Sequence, residues 1–285
     1  MQILENQIYD EERALYHLEN TKVINCTFKG PKDGESALKE GRNIEVEDSL
    51  FSLRYPMWHL KKFKLQNSTF EEPSRAPLWY DEDGEINNVK IYSVKALREC
   101  KNIFIKNSSI NSQEFGWKCH DITINDSALT SEYAFLDSTD IKITNLELTG
   151  KYSFQYVKNV EITDAKLDTK DTFWHSENVT VKNSIIKGEY LGWYSKNLTL
   201  ENYTIIGTQP LCYCKNLKLI DYEMIDADLA FEYSEVDATI KGNIDSIKNP
   251  KSGKIIADNI DNIINENSIM ENTCQIILTD SNCNK

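Results

Sequence analysis

The chain lacks an excess of positive charge, a long apolar segment and a basic, apolar N-terminus. Its formal net charge is −13, which disfavours nucleic acid or an anionic membrane as a nonspecific partner. No apolar run is long enough to span a bilayer. Because the first residues contain no secretory signal, we expect a cytoplasmic protein.

A regular cysteine pattern is also missing. The seven cysteines are scattered, and an odd number with irregular spacing does not suit a disulfide framework. Cys212 and Cys214 lack the two-residue spacer of a zinc or redox motif. Free cysteines are commonly buried, so we expect these thiols to be small core residues. We expect no metal and no cofactor.

A pair of apolar residues, separated by one residue, recurs every 19 positions in the second half of the chain. The first members of the pairs are Ile103, Ile122, Ile141, Val160, Val179, Leu198, Leu217 and Val236. A fixed period near 20 residues is typical of a solenoid, in which each repeat packs only on its neighbours.

Each repeat contains three short extended segments separated by bends. The apolar pair predicts an inward-facing strand. An Asn or Asp column follows and suits a left-handed bend: Asn25, Asp48, Asn67, Asn107, Asp126, Asn145, Asp164, Asn183, Asn202 and Asp221. Three residues later an apolar column predicts a second strand: Phe28, Phe51, Phe70, Ile110, Leu129, Leu148, Leu167, Ile186, Ile205 and Met224. The third side follows, as in residues 133–137 and 171–175.

These features predict an all-β chain that forms a single-stranded parallel β-helix, or β-solenoid. A 19-residue repeat has little room for a helix and two turns. A leucine-rich repeat has a similar period, but its leucine pattern and helical segment are missing. The general crossover rule predicts a right-handed coil.

We assign residues 1–239 to about 12 rungs of about 19 residues each. The rungs are irregular at 81–94, where we interpret the acidic stretch Asp81–Glu85 as an inserted loop. The period is lost at 240–285, and we expect this segment to cap the open end, since an uncovered coil exposes strand edges.

The third side carries the candidate functional face. All five tryptophans occupy one of its columns: Trp58, Trp79, Trp117, Trp174 and Trp193. The column before them is apolar and is predicted to be core, which turns the tryptophans outward. The column after them is polar and includes His59, Tyr80, Glu99, Lys118, Asp137 and His175.

An outward stripe of aromatic and charged residues suits a sugar polymer, because aromatic rings offer flat faces to sugar rings. The arginines all precede residue 100. Arg54 and Arg75 are expected to lie near Trp58 and Trp79 and to form an anion-binding patch. The candidate substrate-binding residues are Arg54, Trp58, His59, Arg75, Trp79, Tyr80, Arg98, Trp117, Lys118, Trp174, His175 and Trp193. The alternative is that the tryptophans form a ladder inside the core.

Glu99 and Asp137 are the candidate catalytic pair. They lie two rungs apart, about 9–10 Å by strand spacing, close to the separation of an inverting glycosidase pair. Lys118 between them favours the alternative, a stacked ladder of salt bridges on a solvated face. His17, Glu40 and His59 are metal-ligand types on consecutive rungs, but no fourth ligand is evident.

Several segments resemble the bacterial domain-of-unknown-function family 3737. They lie at 12–16, 52–59, 95–100, 172–181 and 245–253 and read ERALY, SLRYPMWH, KALREC, TFWHSENVTV and DSIKNPKSG. The resemblance covers nearly the whole chain. It implies a right-handed, pectate-lyase-like parallel β-helix without an assigned activity, and it supplies no catalytic residues.

Two functions are consistent with the sequence. The first is a β-helix that binds or processes an oligo- or polysaccharide along the aromatic and charged face. The second is a non-enzymatic scaffold that docks a protein partner or a second copy of itself. The sequence leaves open whether the protein is an enzyme and whether it forms an oligomer.

Overall fold

The computed structural model describes residues 1–31 and 34–279 and consists of two compact units, Met1–Glu147 and Leu148–Lys285. Each unit is a coil of short strands, and successive turns, or rungs, pair in parallel. The predicted right-handed parallel β-helix is confirmed. It has about 14 turns, close to the 12 expected. No helix among the described residues is long and apolar enough to cross a membrane.

The strands of the first unit are β1 (Gln2–Glu5), β2 (Ile8–Tyr9), β3 (Thr21–Ile24), β4 (Thr27–Phe28), β5 (Arg42–Glu47), β6 (Leu50–Phe51), β7 (Lys61–Gln66), β8 (Thr69–Phe70), β9 (Glu82–Asn87), β10 (Lys90–Arg98), β11 (Lys101–Lys106), β12 (Ser109–Trp117), β13 (His120–Ser131) and β14 (Tyr133–Ala134). The division between the units lies within β15 (Thr139–Gly150). The second unit contains β16 (Lys158–Thr163), β17 (Lys166–Asp168), β18 (Glu177–Lys187), β19 (Lys196–Ile206), β20 (Leu217–Ile225), β21 (Glu235–Lys248), β22 (Ser252–Ile264) and β23 (Gln275–Leu278). A short 3-10 helix occupies Glu72–Ser74.

The core consists of columns of identical or similar side chains. Both predicted apolar columns are buried, with exposed fractions of 3% or less. In the first unit the rings of Phe28, Phe51 and Phe70 stack with centroid distances of 4.7 Å. Neighbouring rungs are about 4.8 Å apart, so like residues meet face to face at the distance that aromatic rings prefer.

The bends are built from left-handed residues, as predicted. All ten members of the Asn and Asp column have φ between 48° and 57°. Their amides also join successive rungs, for example Asn202 Nδ2 to Asn183 Oδ1 at 2.8 Å. A second such ladder, at Asn178, Asn197 and Asn216, was missed in the sequence, although each of these residues directly precedes an apolar pair.

The third side is a strand only in part. It is extended in β10, β12 and β14, but residues 171–175 form turns. Phe173 and His175 both have a left-handed φ, 61° and 52°, and alternate left-handed residues interrupt a continuous strand. The expectation of three strands in every rung is therefore wrong at this side.

The predicted inserted loop at Asp81–Glu85 is also wrong. These residues lead into and begin β9, which pairs with β7 and β11 in the ordinary register. Glu82 and Glu85 point outward and pair with lysines of the preceding rung, at N–O distances of 3.1 and 3.0 Å. The inward position holds Gly84, and a side chain there would overlap the ring of Phe63. The missing apolar residue concealed the strand.

The region beyond residue 239 continues the parallel pairing. Strand β22 pairs with β21, and β23 pairs with β22. The interval between paired residues changes from 19, because Glu235 faces Ser252 and Lys254 faces Gln275. The capping role of 240–285 stays a prediction, and residues 280–285 lie outside the described part.

Five of the cysteines are buried, as predicted: Cys26, Cys100, Cys119, Cys212 and Cys214. Cys274 is half-buried, and Cys283 lies outside the described residues. Burial raises the pKa of Cys214 to about 11, so this thiol stays protonated near neutral pH. Cys100 and Cys119 occupy one column, and their thiols point toward backbone carbonyls.

Asp81 is a carboxyl group in that same column. It is fully buried, and Oδ1 accepts a hydrogen bond from the Leu60 N–H at 2.8 Å. Ser138 serves the same purpose for the Cys119 N–H, at 2.9 Å. Oδ2 of Asp81 has no hydrogen-bond partner among the described residues. Burial, followed by the nearby Cys100, raises the pKa of Asp81 well above its usual value, because a buried charge loses its hydration.

The replacement Asp81→Asn is expected to stabilise the protein increasingly as pH rises. The raised pKa of Asp81 means that folding favours its neutral form. This contribution to stability is complete below the unfolded pKa, about 3.9, and is lost as pH rises through the folded pKa. The amide stays neutral. Urea unfolding at pH 5 and pH 8 should therefore show a larger gain for the variant at pH 8.

Asp121→Asn is the matched control, because Asp121 is an exposed carboxylate of the same unit. We expect its effect on the free energy of unfolding to stay within about 0.5 kcal/mol at both pH values. An equal effect of Asp81→Asn at pH 5 and pH 8 would contradict the proposed burial of a neutral carboxyl.

Candidate functional site

The tryptophan column of the first unit forms a ladder with one arginine. The rings of Trp58 and Trp79 are parallel, with centroids 5.0 Å apart and an interplanar angle of 1°. The Arg98 guanidinium lies between Trp79 and Trp117, at 5.0 and 5.2 Å from their ring centroids. We call these four residues the Trp–Arg ladder. Stacking and cation–π attraction hold its members together.

The indole N–H groups fasten this ladder to the backbone. Trp58 donates to the Ala76 carbonyl at 2.7 Å, and Trp117 donates to the Tyr133 carbonyl at 2.8 Å. Trp79 donates to the next rung in the same way. The polar edge of each ring is thus directed at the following rung, which fixes the ring orientation.

The column turns outward, but its ring faces are covered. The preceding column is core as expected, since Leu38, Leu78 and Phe135 are fully buried. The tryptophans themselves are half-buried. Because the rung spacing equals the stacking distance, no ligand ring fits between neighbours in the ladder. The expectation that Trp58 and Trp79 offer flat faces to sugars is therefore wrong where they stack on each other; ring edges remain.

The polar column lies on an exposed left-handed turn. His59 and Tyr80 stack at 4.8 Å. Glu99, Lys118 and Asp137 follow on successive rungs, all exposed and all with φ between 51° and 54°. Glu99 lies 3.9 Å from the Arg98 guanidinium. This is an open face, and the catalytic role of Glu99 and Asp137 stays a prediction.

The described residues contain no cluster of three or more metal-ligand side chains. Glu40, between His17 and His59 in the sequence pattern, accepts a hydrogen bond from the Tyr16 hydroxyl at 3.0 Å. That bond raises the pKa of Tyr16, because the neutral phenol is the donor.

The second unit carries a ladder of its own in the polar column. Tyr156, His175, Tyr194 and Tyr213 stack with successive centroid distances of 5.3, 4.9 and 4.7 Å. Tyr156 and Tyr194 are 50% and 41% exposed. We call this set the Tyr–His ladder. It presents hydroxyl groups and ring edges to solvent.

The two tryptophans of the second unit lie beside this ladder. Trp193 donates to the Gln209 carbonyl at 2.7 Å and packs edge-on against Tyr213. Trp174 stacks on His175 at 6.2 Å. Its indole N–H is buried and has no hydrogen-bond partner in the part of the chain that the structure describes.

Arg54 and Arg75, predicted to read anions together, do share a cavity in the first unit. We call it the basic cavity. It measures about 480 Å³ and is lined by Lys29, Gly30, Pro31, Ser52, Leu53, Arg54, Pro73 and Arg75. Arg54 also pairs with Glu35 at 3.3 Å. Lys29 and Ser52 were not among the predicted site residues, because they lie on the corner before the third side.

A second cavity of the first unit, which we call the polar cavity, was missed entirely. It measures about 350 Å³ and is lined by Glu72, Tyr92, Ser93, Val94, Asn111, Ser112, Gln113, Thr130, Ser131 and Glu132. Tyr92, Asn111 and Thr130 form one column of paired strand residues. The only sequence signal was the placement of polar residues 19 positions apart.

The 3-10 helix separates the two cavities. Pro73 lines the basic cavity and Glu72 lines the polar cavity. The rung that contains the 3-10 helix is two residues longer than the standard repeat, since the paired residues Phe63 and Gly84 are 21 positions apart. Residues of this longer rung contribute to the walls of both cavities. A concave surface with a few directed polar groups is typical of ligand sites.

The replacement Trp79→Ala is expected to lower the free energy of unfolding by about 2 kcal/mol. It removes the stack with Trp58 and the contact with Arg98, and burial of a half-exposed indole is lost. The matched control is Phe104→Ala, an exposed aromatic of β11, with an expected change within about 0.5 kcal/mol. Equal stability of the two variants in urea would show that the Trp–Arg ladder is not structural.

Solved structures with a similar fold are distant from this chain in sequence. No curated protein matches the sequence. Among solved structures, the A-module of mannuronan C-5 epimerase AlgE6 from Azotobacter vinelandii is 11% identical, with 95% of this chain and 87% of that chain covered and a TM-score of 0.46. The exopolygalacturonase of Thermotoga maritima is 9% identical, with coverage of 97% and 85% and a TM-score of 0.40.

PfbA, a surface adhesin of Streptococcus pneumoniae, is 12% identical, with coverage of 76% and 71% and a TM-score of 0.42. These likenesses concern the fold alone. The family described as "Protein of unknown function (DUF3737)" matches residues 2–277, which confirms the resemblance seen in the sequence. The chain therefore belongs to the DUF3737 family.

Proposed function

We propose that the first unit binds an oligosaccharide or polysaccharide, with the polar cavity as the central contact. The observation that carries the proposal is the column Tyr92, Asn111 and Thr130 in a concave surface of about 350 Å³. The column presents an aromatic ring, an amide and a hydroxyl on three consecutive rungs. A sugar chain needs an apolar contact for ring faces and alternating donors and acceptors for hydroxyl groups.

The exposure of these side chains supports the proposal. Tyr92 is 48% exposed, and Asn111 and Thr130 are exposed. Next to them, the Gln113 amide donates to Glu132 at 3.3 Å, which holds a carboxylate and an amide at the cavity wall. Unlike the rings of the Trp–Arg ladder, Tyr92 faces an asparagine on the next rung, so no ring of that rung covers its face.

The proposal assigns binding and leaves catalysis open. Glu99 and Asp137 lie on the polar column and do not line the polar cavity. The Trp–Arg ladder begins a few residues further along the same rungs, because Gln113 lines the cavity and Trp117 belongs to the ladder. Its ring edges and Arg98 extend the proposed contact surface.

Binding is tested with the double variant Tyr92→Ala and Asn111→Ala, by titration calorimetry against a panel of neutral linear oligosaccharides. We expect about tenfold weaker binding, since an aromatic contact and a hydrogen bond contribute about 1–2 kcal/mol together. Phe104→Ala is the control and should bind like the wild type. A double variant with unchanged affinity would refute the polar cavity as the site.

A second function is favoured by the Tyr–His ladder of the second unit. Tyrosine is enriched in protein interfaces, because it combines an apolar ring with a polar hydroxyl group. In this alternative the protein is a scaffold, and the ladder docks a protein partner or a second copy of the chain. Light scattering that shows a strict monomer, combined with a pulldown that captures no partner dependent on Tyr194, would argue against it.

A further inference from the structure

Arg75 differs from the other four arginines because its guanidinium has no ion-pair or hydrogen-bond partner among the described residues. Arg13 pairs with Glu12, Arg54 with Glu35 and Arg98 with Glu114. Arg42 donates to two backbone carbonyls. Among the described residues, no carboxylate lies within 4.0 Å of the Arg75 guanidinium. This exposed arginine lines the basic cavity.

The basic cavity collects positive charge from three consecutive rungs. Lys29 follows β4, Arg54 follows β6 and Arg75 follows β8, and these three strands pair with one another. Glu35 offsets only the Arg54 charge at close range. Like charges on neighbouring rungs repel one another, although the chain as a whole has a net charge of −13. An anion between them would relieve the repulsion.

The remaining wall of the cavity is suited to a ring and not to a bare ion. Pro31, Leu53 and Pro73 contribute apolar surface, and Ser52 contributes a hydroxyl group. The volume of about 480 Å³ lies within the range of small-molecule sites. The Nε atom of Arg54 is buried and has no hydrogen-bond partner among the described residues. The planar guanidinium groups of Arg54 and Arg75 suit carboxylate or phosphate oxygens.

We infer that the basic cavity binds a sugar unit that carries a negative charge, as a carboxylate or a phosphate ester. The cations of Lys29, Arg54 and Arg75 contact the anionic group, and the two prolines contact the sugar ring. The inference rests on the proposed function, because the polar cavity on the other side of the 3-10 helix would hold the neighbouring, uncharged part of the same chain. It makes the ligand an acidic or phosphorylated glycan.

The test compares four ligands by titration calorimetry: a hexuronic acid trisaccharide, a hexose 6-phosphate, a neutral trisaccharide and inorganic phosphate. Arg75→Gln is the test variant. Lys62→Gln is the matched control, because Lys62 is an exposed cation of the same unit with a left-handed φ of 58°, against 54° for Arg75. Lys62 does not line the basic cavity.

We expect a charged sugar to bind more tightly than the neutral trisaccharide. Arg75→Gln should weaken that binding roughly ten- to hundredfold, the effect of one charge-assisted hydrogen-bond pair, and leave the neutral sugar unchanged. Lys62→Gln should change neither affinity. The charged sugar that binds with the higher affinity identifies the anionic group as a carboxylate or a phosphate ester. Lys29→Gln provides a second variant, and melting temperatures verify that all variants are folded.

Several results would overturn the inference. One is equal affinity for charged and neutral sugars, and another is the same small effect from Arg75→Gln and Lys62→Gln. Inorganic phosphate that binds as tightly as both charged sugars would exclude a sugar-specific site. If the binding of neutral sugars depends on Tyr92 and charged sugars bind no more tightly than neutral ones, only this inference fails. If charged sugars depend on Arg75 but no ligand depends on Tyr92, the polar cavity fails and the basic cavity stands.

Discussion

The parallel pairing of one rung with the next is the constraint on which the rest of the structure depends. It sets each residue about 4.8 Å from the residue one repeat later. Each side chain therefore packs against the side chain at the same position of the next rung. Phenylalanines stack face to face in the core, asparagine amides donate along the bends and lysines meet glutamates across outward strands. One spacing accounts for all three ladders.

The same spacing limits where a ligand can bind. In a stacked aromatic column the ring faces cover one another, as in Trp58 and Trp79. Such a column therefore mainly stabilises the fold and offers few ring faces to a ligand. Cavities that could hold a ligand occur where a rung is longer than the standard repeat. Between β3 and β5 the paired residues Lys22 and Glu45 are 23 positions apart, and the rung with the 3-10 helix also exceeds the standard length. Both cavities adjoin the 3-10 helix of that longer rung, because Glu72 lines one and Pro73 lines the other.

Much of the fold could be predicted because its rules are local and repeated. The left-handed bend of Asn202 and the burial of Ile205 follow from residue type and position in a 19-residue period. Rung 81–94 was misread for an equally local reason. Gly84 occupies an inward position where the pattern requires an apolar side chain. The ring of Phe63, on the preceding rung, fills the space. A pattern read along the chain does not reveal compensation by a residue 21 positions earlier.

The candidate site was only partly predictable. Residue types in the sequence placed Arg54 and Arg75 together, because both occupy the same position in consecutive repeats. Tyr92 and Asn111 also share a column, but nothing in the sequence marks that column as concave. The sequence by itself determined the period, the inward columns and the bends, since each depends on the residues of one repeat. The tertiary structure alone decided which ring faces are covered and where cavities open, because both depend on side chains and corner lengths of neighbouring rungs.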